Sequence, residues 1–420
     1  MASSSAPPSS CWVHRGRRCR RPYPVQIVVV SEAFPRAAGE GVNVVLVRSA
    51  QALQKHAGVV AVVPTPWVPK RLAGRMPQWN AYASTPATAN YGGLPVWFPR
   101  YLQVPTRLWR GFNSWAGASM ALGALPLLRR LRREGRCDVL FGFTTLPDGL
   151  AAMLLGRWLG IPVVCLARGL DVNSDGQTGR GRRLTRWTTH QAVGVAAVSH
   201  DLAARLRTLA ELDRLPAVLY QGVDLERFVL GEHGTARHTL GIERGEYPLL
   251  LYIGRLAPEK RLPQLIDAFS EVVRHRSEAR LALVGSGALH ETLVAQVNER
   301  GLRHAVHFAG EQPYDRIPLW LRAADLVVLC SASEGFPSVV REALACGRPV
   351  VTTAVGELPR IVTPQVGRLI EDPSELAEAI LDVLGRPWDA AALRSTVAHL
   401  TWEEHAAATY RFIADATALR

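Results

Sequence analysis

Four charged residues in the second half of the chain have the types and spacing expected of a site for a phosphorylated sugar. Glu334 lies in a polar, turn-forming loop, and Glu342 follows it in a predicted helix. Arg255 and Lys260 flank a turn that follows an earlier apolar run. Carboxylates accept hydrogen bonds from sugar and ribose hydroxyls, and two cations at one turn satisfy a diphosphate. On local sequence alone, the alternatives are a surface Lys-Arg pair at a helix start and an ordinary carboxylate on a helix surface.

The elements that position Glu334 and Glu342 are predicted to be a strand, a loop, a short helix and a second strand. Residues 325–329 form an apolar run typical of a buried parallel strand, and a helix follows from about Ser338. Gly347 suits the C′ position of that helix, and the proline two positions later prevents its continuation. This order puts the loop and the helix N-terminus at the carboxyl edge of a parallel sheet, where such folds bind ligands. There the amide groups and the dipole of the helix suit a phosphate.

Two further loops follow predicted strands in the same half of the chain. The first contains Gly254, Lys260 and Pro258, and the proline suits the first position of the next helix. Lys260 is one of three lysines among the 49 basic residues, which hints that a compact ammonium group is needed there. The second loop contains Gly285 and Gly287, but it lacks the glycine at position 290 that a GxGxxG dinucleotide fingerprint requires.

Apolar runs alternate with helical patterns along the chain, which predicts an α/β fold of two Rossmann-like, doubly wound domains facing across a cleft. A chain of 420 residues is too long for one ordinary core. The stretch 67–101 is expected to be irregular, and the linker is expected near 223–246. The predicted divisions are a disordered basic tail at 1–24, a first domain at 25–215, a second domain at 216–400, and a C-terminal helix at 401–420 that packs back toward the first domain.

Positive charge is concentrated in the first domain. Residues 1–215 contain 28 Lys and Arg against 10 Asp and Glu, a net charge of +18, whereas the remainder contains 21 against 26, a net charge of −5. A basic domain favours a nucleic acid, an anionic membrane or a phosphorylated substrate. No nucleic-acid recognition motif is present, so no nucleic-acid partner is expected. Residues 107–136 interleave arginine with Trp and Leu, which indicates either a helix lying on an anionic membrane or a domain helix with a solvated arginine face.

The sequence does not support a metal site, a disulfide framework or a membrane span. The six cysteines lack metal-binding spacing and four lie in or beside apolar runs, so buried free thiols in a reducing cytoplasm are expected. Residues 171–176 match half of an EF-hand loop, but position twelve of that loop is Arg182, so calcium binding is not expected. No apolar segment approaches the roughly 20 residues of a membrane helix, and residues 1–24 lack the apolar core of a secretory signal.

The motif Glu-Gly-Phe-Pro-Ser-x-x-x-Glu-Ala-x-Ala-x-Gly begins at Glu334 and includes Glu342. It resembles the signature of the retaining glycosyltransferases of family four, which have the GT-B fold. The segments Gly-Arg-Leu-x-x-Glu-Lys at 254–260, Val-Gly-x-Gly at 284–287 and Gln-Gly-Val-Asp-Leu-Glu-Arg-Phe at 221–228 resemble companion motifs of that family. The resemblance extends over residues 25–419. It implies transfer of a hexose from a UDP- or GDP-linked sugar with retention of the anomeric configuration.

The resemblance also implies a role for each matching residue of the second domain, which would bind the donor. Arg255, Lys260 and Glu334 would be catalytic, because the two cations would stabilise the leaving diphosphate while Glu334 contacts the donor sugar. Glu342 would hold the ribose. The other donor-binding positions would be Gly254, Gly285, Gly335, Phe336, Pro337, Ser338 and Val339. Since cations and amide groups neutralise the leaving phosphate, neither a metal nor a cofactor is implied.

The first domain, which would bind the acceptor, departs from the family pattern. Phe143 stands where many members carry a histidine, and Arg168 stands where another histidine often precedes Gly-x-Asp171. The usual glycine pair of the first loop is reduced to Gly39 and Gly41. No general base is evident in this domain, although the leaving phosphate can take the acceptor proton in retaining transferases.

The sequence therefore predicts a metal-independent hexosyltransferase in the cytoplasm, peripheral on the inner face of the cell membrane. Its acceptor would be a lipid-linked glycan or a polysaccharide. One alternative is a catalytically lapsed subunit that binds a nucleotide-sugar or scaffolds a partner, which the residues at 143 and 168 leave open. A sugar-nucleotide epimerase of the same fold is a second alternative, and a nucleic-acid-binding protein is a third that rests on charge alone.

Overall fold

The computed structural model describes residues 25–36, 43–69, 71, 74, 77–103, 112–173, 177, 179–242 and 247–418. Their strands form one large sheet in each half of the chain, and helices connect successive strands of each sheet. The two doubly wound α/β domains predicted from the alternation of apolar runs and helical patterns are confirmed.

The sheet of the first domain has eight strands, which are β1 (Gln26–Val30), β2 (Gly58–Val62), β4 (Thr88–Tyr91), β5 (Leu94–Trp97), β7 (Val139–Gly142), β8 (Val163–Ala167), β9 (Gly194–Ala197) and β10 (Ala217–Val218). A separate pair consists of β3 (Thr65–Pro66) and β6 (Arg100–Tyr101). The spatial order is β10-β9-β8-β7-β1-β2-β5-β4, and only β4 and β5 pair antiparallel. Strands β1, β7 and β8 are almost wholly apolar because helices cover both faces of the sheet.

The helices of the first domain are Val44–Leu53, Pro77–Ser84, Phe112–Arg133, Leu150–Leu159, Leu170–Asn173, Gly179–Gln191 and His200–Ala210, with a π-helical turn at Thr145–Gly149. Ser199 caps the last of these helices by accepting a hydrogen bond from the amide of Leu202. Two apolar clusters, one on each face of the sheet, form the core of this domain.

The sheet of the second domain has six parallel strands, which are β11 (Leu249–Ile253), β12 (Arg280–Val284), β13 (Val306–Gly310), β14 (Leu326–Leu329), β15 (Val350–Thr353) and β16 (Gly367–Ile370). Their order is β13-β12-β11-β14-β15-β16. The helices are His233–Leu240, Leu262–His275, His290–Glu299, Ile317–Ala323, Ser338–Ala345, Leu358–Ile361, Leu376–Leu384 and Ala390–Ser395, with short 3₁₀ turns at Pro258–Lys260, Tyr314–Arg316 and Pro373–Glu375.

The stretch 67–101 was expected to be irregular, and this prediction is wrong for much of its length. It contains the helix Pro77–Ser84 and the antiparallel hairpin β4–β5. Gly92 and Gly93, at φ +56° and +94°, form the tight turn between the two strands. Four-residue strands at the edge of the sheet have too few apolar positions to stand out from the surrounding prolines and glycines.

The predicted linker and one predicted helix also differ from the structure. Residues 223–246 contain the helix His233–Leu240, which packs against the helix Ile317–Ala323. The helix predicted to begin at Pro258 is interrupted at Arg261, whose φ of +51° separates the 3₁₀ turn Pro258–Lys260 from the helix that follows. Lys260 lies directly before this interruption.

The long helix Phe112–Arg133 packs into the core of the first domain. Its own residues Met120, Ala124 and Leu128 are fully buried, and it packs along the helix Leu150–Leu159. Arg129, Arg130, Arg132 and Arg133 are exposed on its outer side. Of the two interpretations of this segment, the domain helix with a solvated arginine face therefore describes its packing.

The last helix, Trp402–Ala418, lies on the first domain. It packs against the helix Val44–Leu53, where His405 Nε2 lies 2.7 Å from Ser49 Oγ while its Nδ1 lies 2.7 Å from the carbonyl oxygen of Tyr220. Burial lowers the pKa of His405 to about 4, so the ring is neutral at physiological pH. The chain crosses between the domains at two adjacent points, since Val223 N donates to Leu400 O at 2.7 Å. The proposed divisions at 215 and 400 stay predictions.

Candidate functional site

A cleft of about 690 Å³ lies between the carboxyl edges of the two sheets. Both domains contribute charged side chains to its walls. Those of the first domain are Glu32, Asp148, Arg168 and Asp171, and those of the second are Arg255, Lys260, Glu334 and Glu342. The structure therefore brings the four charged residues predicted in the second half of the chain to one cavity.

Lys260 and Glu334 form an ion pair at the centre of the second-domain wall. Lys260 Nζ lies 2.6 Å from Glu334 Oε1, and the hydroxyl of Ser331 donates to the same oxygen at 2.6 Å. The two side chains are only 16% and 11% exposed. Partial burial strengthens the attraction between the charges, and it also makes the ammonium a strong site for any anion that enters the cleft.

Arg255 lines the same cleft but does not join this pair. Its side chain is 63% exposed, and its Nη2 lies 2.6 Å from Oε1 of Glu259, four positions later. Such an exposed pair contributes little to stability and can open at little cost. Arg255 is therefore free to turn toward a ligand that carries more charge than Glu259.

The glycines of the second domain let its loops meet backbone to backbone. A Cβ atom at Gly285 would overlap the carbonyl of Gly254, so the loops after β11 and β12 touch at these two positions. A Cβ atom at Gly335 would lie 2.8 Å from the carbonyl oxygen of Arg168, in the first domain. The loop 331–337 therefore closes against the first domain, next to the cleft.

The helix Ser338–Ala345 begins at the cleft, and Ser338 and Val339 line the cavity. Pro337 is its N-cap residue, with extended backbone. Gly347, at φ +71°, occupies C′ as predicted, and its amide bonds to Leu344 O in the pattern of a Schellman motif. The first-turn amides and the positive end of the helix dipole thus lie at the wall that also holds Lys260.

Phe336 fastens this loop to the first domain. Its ring stacks on Tyr220 with centroids 4.9 Å apart, and the guanidinium of Arg341 lies 4.0 Å from the ring centroid. Arg341 is fully buried and donates to the carbonyls of Gln221 and Gly222, where the chain crosses between the domains. The predicted donor-binding loop is therefore held by both domains.

Glu342 is buried in the helix one turn beyond the loop, with 7% exposure, and it lines the cleft. Burial raises its pKa to about 7, and the nearby charge of Arg341 and the hydroxyl of Ser338 oppose this rise only in part. Glu342 is therefore about half ionised at neutral pH, and a ligand that donates hydrogen bonds to it would favour the ionised form.

Phe143 lies in the core of the first domain, next to Arg168. Phe143 is fully buried, and its ring centroid lies 6.0 Å from that of Phe34 and 4.9 Å from that of Phe141. The Phe143 ring is part of the hydrophobic core. It carries no titratable group, so it takes no part in acid–base chemistry. The guanidinium of Arg168 lies 5.8 Å from the centroid of Phe143, and both Arg168 and Asp148 line the cleft.

Asp171 organises the loop after β8. Its Oδ1 accepts hydrogen bonds from the amides of Arg168 and Gly169 at 3.1 and 2.9 Å. Its Oδ2 accepts from the amide and the hydroxyl of Thr145 at 2.8 and 3.0 Å. Both oxygens of the carboxylate thus accept hydrogen bonds from the protein itself, which favours a role in positioning the loop after β8. Gly39 and Gly41, the other predicted residues of this side, lie outside the described residues.

Asp148 of this wall was missed by the sequence analysis. Asp148 is fully buried, and its Oδ1 accepts a hydrogen bond from the amide of Glu32 at 2.9 Å. Burial, followed by the charge of Glu32, raises the pKa of Asp148 to about 7. The turn Pro147-Asp148-Gly149 after β7 was the available signal, because a polar residue at the carboxyl end of a parallel strand is a site candidate.

A second missed group is an interdomain network around Glu357. This buried carboxylate accepts hydrogen bonds from Tyr220 OH at 2.6 Å and from the amide of His200 at 2.8 Å, and His200 Nδ1 lies 3.0 Å from it. Tyr220 and His200 belong to the first domain, whereas Glu357 follows β15 of the second. The network therefore fixes the two domains to each other beside the cleft.

Metal-binding clusters and membrane spans were also sought. The described part of the chain contains no group of three or more His, Cys, Asp or Glu side chains arranged to hold a metal ion. Within the same part, no helix combines the length and apolar character needed to cross a bilayer. Cys137, Cys165, Cys330 and Cys346 are buried free thiols, as predicted.

Two family models match the chain, one for each half. The model described as Glycosyltransferase Family 4 matches residues 39–227, and the model described as Glycosyl transferases group 1 matches residues 241–396. The first match ends near Val223 and the second ends near Leu400, the two points where the chain crosses between the domains.

Curated relatives match both halves. TuaC of Bacillus subtilis, which is named as a teichuronic acid biosynthesis glycosyltransferase, is 29% identical over 367 residues, covering 85% of this chain and 88% of TuaC. The D-inositol 3-phosphate glycosyltransferase of Frankia alni is 34% identical over 275 residues, covering 60% of this chain and 67% of that protein.

Solved structures share the fold at low identity. Sucrose-phosphate synthase from Thermosynechococcus elongatus superposes with a TM-score of 0.78 at 20% identity, covering 94% of this chain and 100% of that one. Anabaena HepE in complex with UDP superposes with a TM-score of 0.67 at 20% identity, covering the same shares, and HepE has also been solved with UDP-glucose.

Proposed function

Because the chain belongs to the family-four, group 1 glycosyltransferases and has their GT-B fold, we propose that it transfers a hexose from a nucleotide-sugar to a lipid-linked or polysaccharide acceptor, with retention of the anomeric configuration. The observation that carries this proposal is the Lys260–Glu334 pair beside the N-terminus of the helix Ser338–Ala345. That arrangement offers an ammonium, helix amides and a carboxylate to a single ligand, which suits the diphosphate and the hexose of a nucleotide-sugar.

The second domain holds the donor in this proposal. The ribose diol donates hydrogen bonds to Glu342, the diphosphate lies against Lys260 and the first amides of the helix, and Arg255 leaves Glu259 to join it. Gly254 lines the cleft at the strand end, Gly285 packs against its carbonyl, and Gly335 through Val339 contact sugar and phosphate. Glu334 accepts hydrogen bonds from hexose hydroxyls once the diphosphate competes for Lys260.

The transfer breaks the bond between the anomeric carbon and the diphosphate oxygen and forms one to the acceptor oxygen on the same face of the sugar. The acceptor proton passes to the leaving diphosphate, so no general base is needed from the first domain. Lys260, Arg255 and the helix dipole stabilise the negative charge that develops on the diphosphate. In this proposal protein cations supply that stabilisation, without a metal.

A UDP-linked hexose is the first donor to test, and a GDP-linked hexose is the second. HepE, which has the same fold, has been solved with UDP and with UDP-glucose. TuaC is named for teichuronic acid biosynthesis, and other matching relatives are named for transfer to D-inositol 3-phosphate and to L-malate. We place this chain in cell-surface glycan or exopolysaccharide biosynthesis because TuaC matches over most of both chains.

One experiment tests the donor proposal directly. The melting temperature of the purified protein is measured with UDP-, GDP- and ADP-sugars, since a ligand that binds only the folded state stabilises it by mass action. One nucleotide class should raise the melting temperature, and the same donor should then be consumed when acceptor extracts are added. Absence of stabilisation by any of the three classes contradicts the proposal.

A catalytically lapsed, nucleotide-sugar-binding subunit is the second candidate. It is favoured by the buried Phe143 and by the lack of any histidine among the described residues that line the cleft. Slow hydrolysis of the bound donor without acceptor separates the two candidates. A transferase releases free sugar in this assay, whereas a lapsed subunit leaves the donor intact.

For the location we propose the cytoplasm, with the basic first domain against the anionic inner face of the cell membrane. The exposed arginines of the helix Phe112–Arg133 and the partly exposed ring of Trp115 support this placement. Such a surface would bring the enzyme to a lipid-linked acceptor.

A further inference from the structure

Arg168 has an unmatched positive charge in the wall of the cleft. It follows β8 directly and lines the cavity. Lys260 pairs with Glu334, and Arg255 pairs with Glu259. Across the described ranges, the guanidinium of Arg168 makes no hydrogen bond and no ion pair, and its closest described interaction is with the ring of Phe143.

The neighbouring carboxyl groups do not neutralise this charge by direct contact. All four hydrogen bonds that Asp171 accepts come from two backbone amides of its own loop and from Thr145. Asp148 accepts the amide of Glu32, and with a pKa raised to about 7 by burial it carries only part of a charge at neutral pH. Burial lowers the pKa of Arg168 to about 10, so the guanidinium remains protonated. A partly desolvated cation of this kind favours an anionic ligand.

Phe143 lies on one side of the Arg168 guanidinium. The aromatic ring is fully buried and supports one side of the guanidinium at 5.8 Å. The in-plane N–H groups of an arginine remain available when one of its faces lies on a ring, and they match the paired oxygens of a phosphate or a carboxylate. In this arrangement the Phe143 ring supports the guanidinium of Arg168, whose N–H groups donate hydrogen bonds to the anion.

The position of Arg168 assigns the anion to the acceptor rather than to the donor. Arg168 follows β8 in the wall that the first domain contributes to the cleft, and Asp171 of the same loop accepts a hydrogen bond from its backbone amide. The donor diphosphate has its own cations, Lys260 and Arg255, in the second domain. We propose that Arg168 binds a phosphate or carboxylate group of the acceptor, so that the acceptor is an anionic hydroxyl compound. This inference rests on the proposed function, because only a transferase has an acceptor.

The test uses sn-glycerol 3-phosphate and glucuronate as probes, with glycerol and glucose as their neutral counterparts. Binding to the full chain saturated with the stabilising nucleotide is measured by calorimetry. Arg168→Met should weaken both anionic probes about 10- to 100-fold, the range expected for a lost charged hydrogen bond. The affinity of Arg168→Lys for the anionic probes should lie between those of the wild type and Arg168→Met. A lysine keeps the positive charge but cannot donate two parallel hydrogen bonds. Arg129→Met, an exposed arginine on the helix Phe112–Arg133, is the matched control and should bind like the wild type.

Several outcomes overturn the inference. If Arg168→Met weakens the nucleotide more than the probes, Arg168 serves the donor diphosphate. If neither probe binds the wild type, or if they bind all variants equally, the anion site does not exist. If no nucleotide binds at all, the proposed function fails, and the probe comparison on the nucleotide-free chain still decides whether Arg168 binds anions. Circular dichroism of each variant shows whether its fold is intact.

Discussion

Lys260 is the residue whose part in the chemistry is most constrained by its surroundings. It ends the 3₁₀ turn Pro258–Lys260 and precedes the interruption at Arg261, and its side chain, which is 16% exposed, pairs with Glu334. A diphosphate that enters the cleft carries more charge than Glu334 and meets an ammonium that is already partly desolvated. Each hydrogen bond it makes there is stronger than one made in water.

Replacing Lys260 by Ala should lower the turnover number about 10²- to 10³-fold, the loss typical of removing one donor to a developing charge. The variant should stay folded with only a small change in melting temperature, since the Lys260 side chain is not part of the apolar core. Lys55→Ala is the matched control, because Lys55 is an exposed lysine that faces Glu403 at 3.5 Å. Wild-type turnover in Lys260→Ala would contradict the donor-site assignment.

Glu342 should make donor binding depend on pH. Its pKa of about 7 in the ligand-free protein means that the ionised form, which is the proposed acceptor for the ribose diol, is scarce at pH 6 and dominant at pH 8. Nucleotide affinity should therefore rise about tenfold between these pH values, from the change in ionised fraction. Glu342→Gln should remove this rise and leave only the titration of the nucleotide, so calorimetry on both proteins isolates the effect.

The same raised pKa has a cost in stability, with a sign that follows from linkage. Between about pH 4.5 and 7 the folded protein keeps the proton of Glu342, whereas the unfolded chain has lost it. Since the folded state binds more protons, this group lowers the free energy of unfolding as pH rises through that window. Urea unfolding at several pH values should show a flatter profile for Glu342→Gln than for the wild type.

Residue identity and strand order predicted which side chains could meet, but not how each would be used. Arg255, Lys260, Glu334 and Glu342 all follow strands of one parallel sheet, so their common location follows from the sequence. The pairing of Arg255 with Glu259 depends on side-chain torsions that spacing does not specify. Asp148 was missed because a lone carboxylate in a turn gives no sign of its burial. The roles of all these residues stay predictions.

At the scale of elements, the segments that the sequence predicted well are those whose environment is uniform. Strands such as β11 and β14 are buried on both faces and therefore apolar throughout, so their positions were clear. The hairpin β4–β5 is short, lies at the edge of the sheet and follows a stretch rich in proline and glycine. The contact of Phe336 with Tyr220 is a long-range property that no local pattern contains.

Glu357 shows how a loop of one domain can stabilise an element of the other. It caps the helix His200–Ala210 and accepts the hydroxyl of Tyr220, and it is 1% exposed. Glu357→Ala leaves these donors without their partner and should lower the free energy of unfolding by about 1–3 kcal/mol. Glu378→Ala is the control, because Glu378 is 74% exposed. An equal effect of both substitutions on urea unfolding would contradict a role in joining the domains.

The difference between Glu357→Ala and the wild type should also shrink in acid. Burial alone would raise the pKa of Glu357, but the hydrogen bonds from Tyr220 and His200 lower it overall. A carboxylate with a lowered pKa stabilises the fold above the ordinary carboxyl range, and that contribution is lost as the pH falls through the lowered pKa.

At the scale of the whole molecule, the two domains carry opposite charge and meet along one cleft. The first has a net charge of +18 over residues 1–215, and the second has −5 over the remainder. In the proposed function the donor site lies in the acidic part and the basic part meets an anionic surface. The described part of the chain crosses between the domains near Val223 and Leu400, and the stacking of Phe336 on Tyr220 also joins the basic part to the proposed donor-binding loop.

The full chain should bind vesicles that contain anionic phospholipid at low salt. It should dissociate from them as the salt concentration rises, because salt screens the charges. Each arginine near such a surface contributes about 1 kcal/mol, so the triple substitution Arg129→Gln, Arg132→Gln, Arg133→Gln should lower the partition coefficient more than tenfold. The matched control is Arg274→Gln, Arg276→Gln, Arg303→Gln, which removes the same charge from exposed positions of the second domain. Co-sedimentation with anionic and with neutral vesicles measures the binding of both triple variants.

Equal losses in the two triple variants would mean that binding follows net charge rather than the basic face. Failure of the wild-type chain to bind anionic vesicles at low salt would remove the membrane from the proposed function and leave the donor site untouched.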